Sequence, residues 1–150
     1  MASRLRETEL RAWQALLHAH HEVTSRLEEE LKTEFGLSMA DYDVLLRLAR
    51  AGDVGLRMTQ LAERVLMSPS GLTRVIDRLV SKGLVRRERM KDDARAMLVR
   101  LTERGRKRLR RAAATHLRGI RQHFTGRLKD WQLRQVAAAL EVLTGPHLPH

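Results

Sequence analysis

A stripe of Leu10, Trp13, Leu17, His20, Val23, Leu27 and Leu31 recurs at three- and four-residue steps, with Glu28, Glu29 and Glu30 on the polar side. That period predicts a long amphipathic helix. Phe35-Gly36-Leu37-Ser38 ends it, with Gly36 a C-terminal stop and Ser38 the next N-cap. Tyr42, Leu45, Leu46, Leu48 and Ala49 predict a second helix, which breaks at the loop Ala51-Gly52-Asp53-Val54-Gly55. Thr59 to Leu66 reads as a short helix capped by Thr59, with Leu61, Ala62, Val65 and Leu66 facing inward. Ser68 then caps a further helix and Pro69 suits its first position, where a missing N–H costs nothing. Leu72, Val75, Ile76 and Leu79 form the inner stripe of that helix. Ser70, Gly71, Thr73, Arg74, Asp77 and Arg78 form its other face, and Gly83 stops it.

After Gly83 the period changes from 3.6 to 2. In Met97-Leu98-Val99-Arg100-Leu101 the odd-numbered residues make an apolar face, a strand pattern, and Leu84 to Arg89 is a weaker strand before it. Lys91-Asp92-Asp93-Ala94-Arg95 forms the polar tip between them. Thr102 caps a long helix carrying Leu109, Ala113, His116, Ile120 and Phe124. Asp130 starts a last one on Leu133, Val136, Ala137, Leu140 and Leu143, and the tail from Gly145 holds two prolines that end it. The expected fold is mainly α with a small β-hairpin wing: a winged helix-turn-helix flanked by helices.

Charge says what such a fold would meet. The 150 residues carry 29 Lys+Arg against 18 Asp+Glu, a net of +11. Residues 84–111 hold 12 basic and 4 acidic side chains, so +8 of that excess sits in 28 positions. A block this local points to a polyanion. A membrane-surface helix would set a basic face against a bulky apolar one. This block opens on a strand pattern, which favours nucleic acid over a membrane partner. There is no cysteine, which removes thiol catalysis, disulfides and cysteine-ligated zinc. No apolar run approaches the length of a membrane span, and the start lacks a signal peptide's apolar stretch, so a cytoplasmic location is expected.

Two short helices joined by a tight turn, then a basic hairpin, have a clear geometry on DNA. A helix entering the major groove needs small or polar residues near its N-terminus, and Ser68, Ser70, Gly71 and Thr73 supply them. Arg74 can reach a guanine edge or a phosphate, and Arg78 is the next candidate along. Arg95 at the hairpin tip suits a narrow minor groove. Asp77 repels phosphate and is expected to orient a neighbouring arginine, while Arg86, Arg87 and Arg89 read as backbone contacts.

Leu61-Ala62-Glu63-Arg64-Val65, the run from Ser68 to Leu79, Lys82-Gly83-Leu84-Val85, and Asp93-x-Arg95-x-x-x-Val99-x-Leu101-Thr102-x-x-Gly105 occur in order and correctly spaced. On these the chain resembles the multiple-antibiotic-resistance regulator (MarR) family of transcription factors, whose six-helix layout accounts for nearly all of it. The resemblance implies one domain over 1–150, with a DNA-binding lobe at about 38–102 and dimerisation helices at about 4–35 and 102–144. It implies a homodimer on double-stranded DNA, reading a palindromic operator, with Arg95 in the minor groove and Asp93 ion-pairing to stabilise the wing. In many members a small, often phenolic or anionic, effector binds between lobe and dimer helices and releases DNA. Trp13, Leu17, His20, Tyr42 and His116 are the candidate pocket residues here. The absence of cysteine sets the chain apart from the family's thiol sensors.

Other readings have less to rest on. His116 and His123 are seven apart, roughly 10.5 Å of helix rise, whereas metal pairs on one helix prefer i, i+4. His18, His20 and His21 also invite a metal reading, but His20 and His116 lie on apolar stripes and read as packing or hydrogen-bonding residues at a dimer seam, so no metal and no cofactor is expected. No triad, phosphate loop or carboxylate pair supports an enzyme. The expected function is a sequence-specific repressor. Its alternatives are an architectural protein that coats DNA without preference and a regulator with no small-molecule ligand.

Overall fold

The computed structural model describes residues 4–145. In chain order it contains α1 (Glu7–Phe35), α2 (Met39–Ala51), β1 (Leu56–Arg57), α3 (Met58–Val65), α4 (Pro69–Ser81), β2 (Val85–Arg89), β3 (Met97–Leu101), α5 (Glu103–His123) and α6 (Asp130–Thr144). The expected mainly α fold with a small hairpin wing is what forms. The tail beyond Gly145, expected to be non-helical, lies outside the described residues. No helix among the described residues is long and apolar enough to cross a membrane.

The chain forms two compact units. One, Glu28–His116, holds the helix-turn-helix and wing and is wider than residues 38–102: it includes the end of α1 and α5 as far as His116. Its core joins Leu31 of α1, Leu45 and Leu48 of α2, Leu61 of α3, Leu72, Ile76 and Leu79 of α4, and Val99 of β3. The other unit takes the described residues up to Leu27 and those from Leu117 onward. There Leu10, Trp13 and Leu17 of the α1 stripe are exposed, as are Trp131, Val142 and Leu143 of α6.

Local chemistry explains most of the boundaries. Gly36 leaves α1 at φ 64°, and Ser38 caps α2 by accepting the Asp41 N–H, while Asp41 accepts the Ser38 N–H in return. At the end of α4, Gly83 takes φ 70°. Its N–H reaches the Val80 carbonyl and the Leu84 N–H reaches that of Leu79, the paired bonds of a Schellman stop. Thr102 Oγ1 accepts the Gly105 N–H and so caps α5.

Three details differ from the sequence reading. Thr59 is not the cap of α3: the helix starts at Met58, and Gln60 Oε1 accepts the Arg57 N–H instead. Leu66 does not face inward. It lies past the last turn of α3 at φ 54° and is 93% exposed, because the chain reverses there to enter α4. A third strand, β1, was not foreseen: Leu56 pairs with Val99 and Arg57 with Leu98. The sheet order is therefore β1-β3-β2, antiparallel throughout, with Val85 opposite Leu101 and Arg87 opposite Val99.

Candidate nucleic-acid interface

Helix α4 presents one face of its N-terminal half to solvent, opposite the buried Leu72 and Val75. Ser68 Oγ accepts the Gly71 N–H at 3.2 Å, Pro69 occupies the first helical position, and Ser70, Thr73 and Arg74 are exposed. A side chain at Gly71 would put its Cβ 3.1 Å from Ser68 Oγ, so the glycine keeps room for its own cap. Thr73 donates its hydroxyl to the Pro69 carbonyl at 2.9 Å, which leaves its oxygen able to accept. Ser68, Ser70, Gly71, Thr73 and Arg74 therefore lie together at one helix start, where backbone N–H groups and the dipole favour an anion. Arg74 has no hydrogen bond or ion pair among the described residues.

Arg78 is placed differently. Its Nη2 donates to Asp41 Oδ1 at 2.6 Å and its Nε to the same oxygen at 3.1 Å, and Asp41 is only 1% exposed. Asp41 was not singled out from the sequence. The readable signal was Ser38-x-x-Asp41, a capping-box spacing, but its second partner lies 37 residues away. Asp77 does hold a neighbouring arginine: Arg87 donates to it, tying the wing's first strand to α4.

At the wing tip, Asp93 Oδ1 accepts the Arg95 N–H at 3.0 Å and the Asp93 carbonyl accepts the Ala96 N–H at 3.0 Å. The ion pair expected of Asp93 is absent among the described residues. This short carboxylate bonds its own turn two residues on, the local alternative open to Asp. The Arg95 side chain is exposed and unpaired among the described residues. Much of the remaining basic block is internally matched: Arg86 and Arg100 pair with Glu88 at 2.8 and 3.0 Å, and Arg106 pairs with Asp53. Arg89 has no such partner among the described residues.

The MarR family profile matches residues 35–96. AbsC, a MarR family transcriptional regulator from Streptomyces coelicolor, is 34% identical and superposes with a TM-score of 0.87 over 95% of this chain and 96% of its own. The chain belongs to the MarR family. Sco3205, another member from S. coelicolor, solved in complex with DNA, is 29% identical with a TM-score of 0.87 over 97% of this chain and 95% of its own. Among curated relatives, YdgJ of Bacillus subtilis, an uncharacterized HTH-type transcriptional regulator, is 35% identical over 49% of this chain and 44% of that protein. The HTH-type transcriptional regulator SarZ of Staphylococcus epidermidis is 34% identical over 56% and 55%. The matched segments thus span about half the length of these two relatives. The relatives are transcriptional regulators, not enzymes.

Of the five pocket candidates in this MarR-family chain, Trp13, Leu17 and His20 belong to one compact unit, and Tyr42 and His116 to the other. Trp13, Leu17 and His20 are exposed. The Tyr42 and His116 rings lie 4.6 Å apart, tilted by 42°. His116 Nδ1 is buried with no hydrogen-bond partner among the described residues. Burial pulls the imidazole below its ordinary pKa, with Glu30 opposing, and pushes the Tyr42 phenol up. No group of three or more His, Asp or Glu among the described residues is placed to hold a metal ion.

Proposed function

We propose that this MarR-family protein is a sequence-specific DNA-binding regulator that acts as a homodimer on a palindromic operator. The observation that carries the reading is Arg74: an exposed guanidinium, unpaired among the described residues, on the outer face of the Ser68-capped half of α4. Ser70 and Thr73 offer short polar neighbours there, and the Arg95 side chain, unpaired among the described residues, is exposed at the wing tip. The DNA-bound structure of Sco3205 supports the same partner here. The exposed Leu10, Trp13, Leu17, Trp131, Val142 and Leu143 support self-association, since apolar surface of this extent favours burial against a second copy. In this reading the protein is a cytoplasmic repressor. A small aromatic or anionic effector, contacting Tyr42 and the bare Nδ1 of His116, releases it.

The test begins with binding-site selection using purified protein, followed by competition between the selected duplex and a random one. A specific regulator prefers the selected duplex by at least about 10³-fold. Equal affinity would make the protein an architectural coat. With roughly 8–12 phosphates neutralised per dimer, log K falls against log salt with a slope of about −7 to −11. A small-molecule screen for release from the selected site then separates the effector-responsive form from a regulator without a ligand.

A further inference from the structure

Ser70, Arg74, Arg78 and Lys82 follow one another at four-residue steps and so lie along one ridge of α4. The two ends of this ridge meet different surroundings. Ser70 and Arg74 are exposed. Arg78 donates to Asp41, and Lys82 donates to the Gly36 carbonyl with its ammonium 3.8 Å from Asp41 Oδ2. Asp41 is itself locked, its Oδ2 accepting the Ser38 N–H at 3.0 Å and its N–H bonded to Ser38 Oγ. The C-terminal half of α4 is thereby anchored to the corner between α1 and α2 through the buried Asp41 carboxylate, which faces both cations, and through the Gly36 carbonyl, which accepts from Lys82.

We propose that Asp41 is a positioning residue for DNA recognition. By gripping Arg78 and Lys82 it sets the roll of α4, and so the direction from which Arg74 approaches a base edge. Arg78 serves as the strut of this arrangement rather than as a reader. This rests on the DNA-binding reading above and deepens it. The physical case is twofold. A roll of about 10° would swing a guanidinium well off the helix axis by more than 1 Å, beyond the tolerance of a bidentate base contact. And for Arg78 to leave for a phosphate, the carboxylate of Asp41 would have to stay buried without its guanidinium, an arrangement that strongly disfavours the exchange.

The experiment measures affinity for the selected operator and for a random duplex across a salt series, with wild type, Asp41→Asn, Arg78→Ala, Arg78→Lys and the Asp41→Asn/Arg78→Ala double variant. Asp41→Asn keeps an oxygen for the Ser38 N–H but removes the charge and puts an amide NH2 where Oδ1 accepts from Arg78, so it breaks the grip on Arg78 while sparing the cap. Positioning predicts that Asp41→Asn and Arg78→Ala each lose about tenfold in operator-over-random preference. The double variant then loses little more than either single one, the salt slope is unchanged, and Arg78→Lys recovers part of the loss. Thermal unfolding of each variant confirms that it is folded at the binding temperature. If Asp41→Asn does not fold, the comparison of Arg78→Lys with Arg78→Ala carries the test.

Two results overturn the proposal alone. One is a salt slope shallower by about 2 per dimer for Arg78→Ala, with equal loss on both duplexes and no effect of Asp41→Asn; that makes Arg78 a phosphate contact. The other is lowered stability in Asp41→Asn with preference intact, which makes the pair structural only. A wild-type protein without operator preference overturns the DNA-reading proposal as well, so the two failures are distinguishable.

Discussion

A β-carbon added to Gly105 would lie 2.1 Å from the carbonyl oxygen of Leu84. That carbonyl already accepts the Thr102 N–H at 3.1 Å, and Thr102 Oγ1 donates to the neighbouring Gly83 carbonyl at 2.7 Å. The start of α5 is thus pressed against the connection between α4 and β2, backbone to backbone. Gly105→Ala has no flexible side chain to push aside. It is expected to lower the unfolding free energy by about 1–3 kcal/mol, read as a lower urea midpoint. A midpoint equal to wild type would mean that α5 is free to shift away from Leu84.

The same glycine shows where sequence reading reaches and where it stops. The spacing Leu101-Thr102-x-x-Gly105 was visible, and so was the Thr102 cap, because caps act within three residues. The reason for the glycine was not, since Leu84 meets it only in the fold. Ser68-Pro69 and Gly83 were legible for the same local reason. Leu66 misled because the three-four spacing of α3 runs on one residue past the point where the backbone turns. The two residues of β1 are too few for any period to register. Asp41 and Arg78 are 37 positions apart, and neither residue type announces the other.

Leu66 gives the second prediction. It is the one non-glycine residue with positive φ among the described residues, and its side chain is 93% exposed, so no burial compensates the left-handed backbone. Such a conformation costs an L-residue roughly 1–2 kcal/mol, partly offset in a glycine by greater freedom of the unfolded chain. Leu66→Gly is therefore expected to stabilise the protein by about 0.5–1 kcal/mol, seen as a higher melting temperature. A lower melting temperature would show that the Leu66 side chain makes a stabilising contact.

His116 gives a pH dependence. Burial holds its pKa below the ordinary 6.5 in the folded chain, with Glu30 opposing, so between the two values the unfolded chain binds more protons than the folded one. The contribution to stability is therefore fully present above the unfolded pKa and is lost as pH falls below 6.5 toward the folded value. Denaturant unfolding at about pH 7.5 and about pH 5.5 is expected to show a loss on acidification that is smaller in His116→Gln. Identical profiles for the two proteins would move the effect to another group. An imidazole titration of His116 by NMR with its midpoint at or above 6.5 would contradict the burial itself.

Arg74 and Arg95 are both unpaired among the described residues, one on a capped helix and one on a hairpin tip, and a base-by-base binding profile separates what they do. If Arg74 meets a base edge in the major groove, Arg74→Ala costs about 1–3 kcal/mol on the operator and flattens preference at one position per half-site. In the proposed dimer, two-fold symmetry puts those positions in half-sites about one helical turn apart, roughly 10 base pairs centre to centre. A guanidinium in the minor groove reads width rather than base identity, so the cost of Arg95→Ala is expected to rise with the A·T content of the flanks. Both variants are expected to keep the wild-type fold and oligomeric state, because both side chains are exposed and neither is bonded among the described residues. The profile is taken for wild type and both variants at one salt concentration, since phosphate contacts alone shift every affinity with salt. If both variants lose affinity equally on every sequence, both arginines meet only phosphate, and selectivity passes to Ser70, Thr73 or the shape of the DNA.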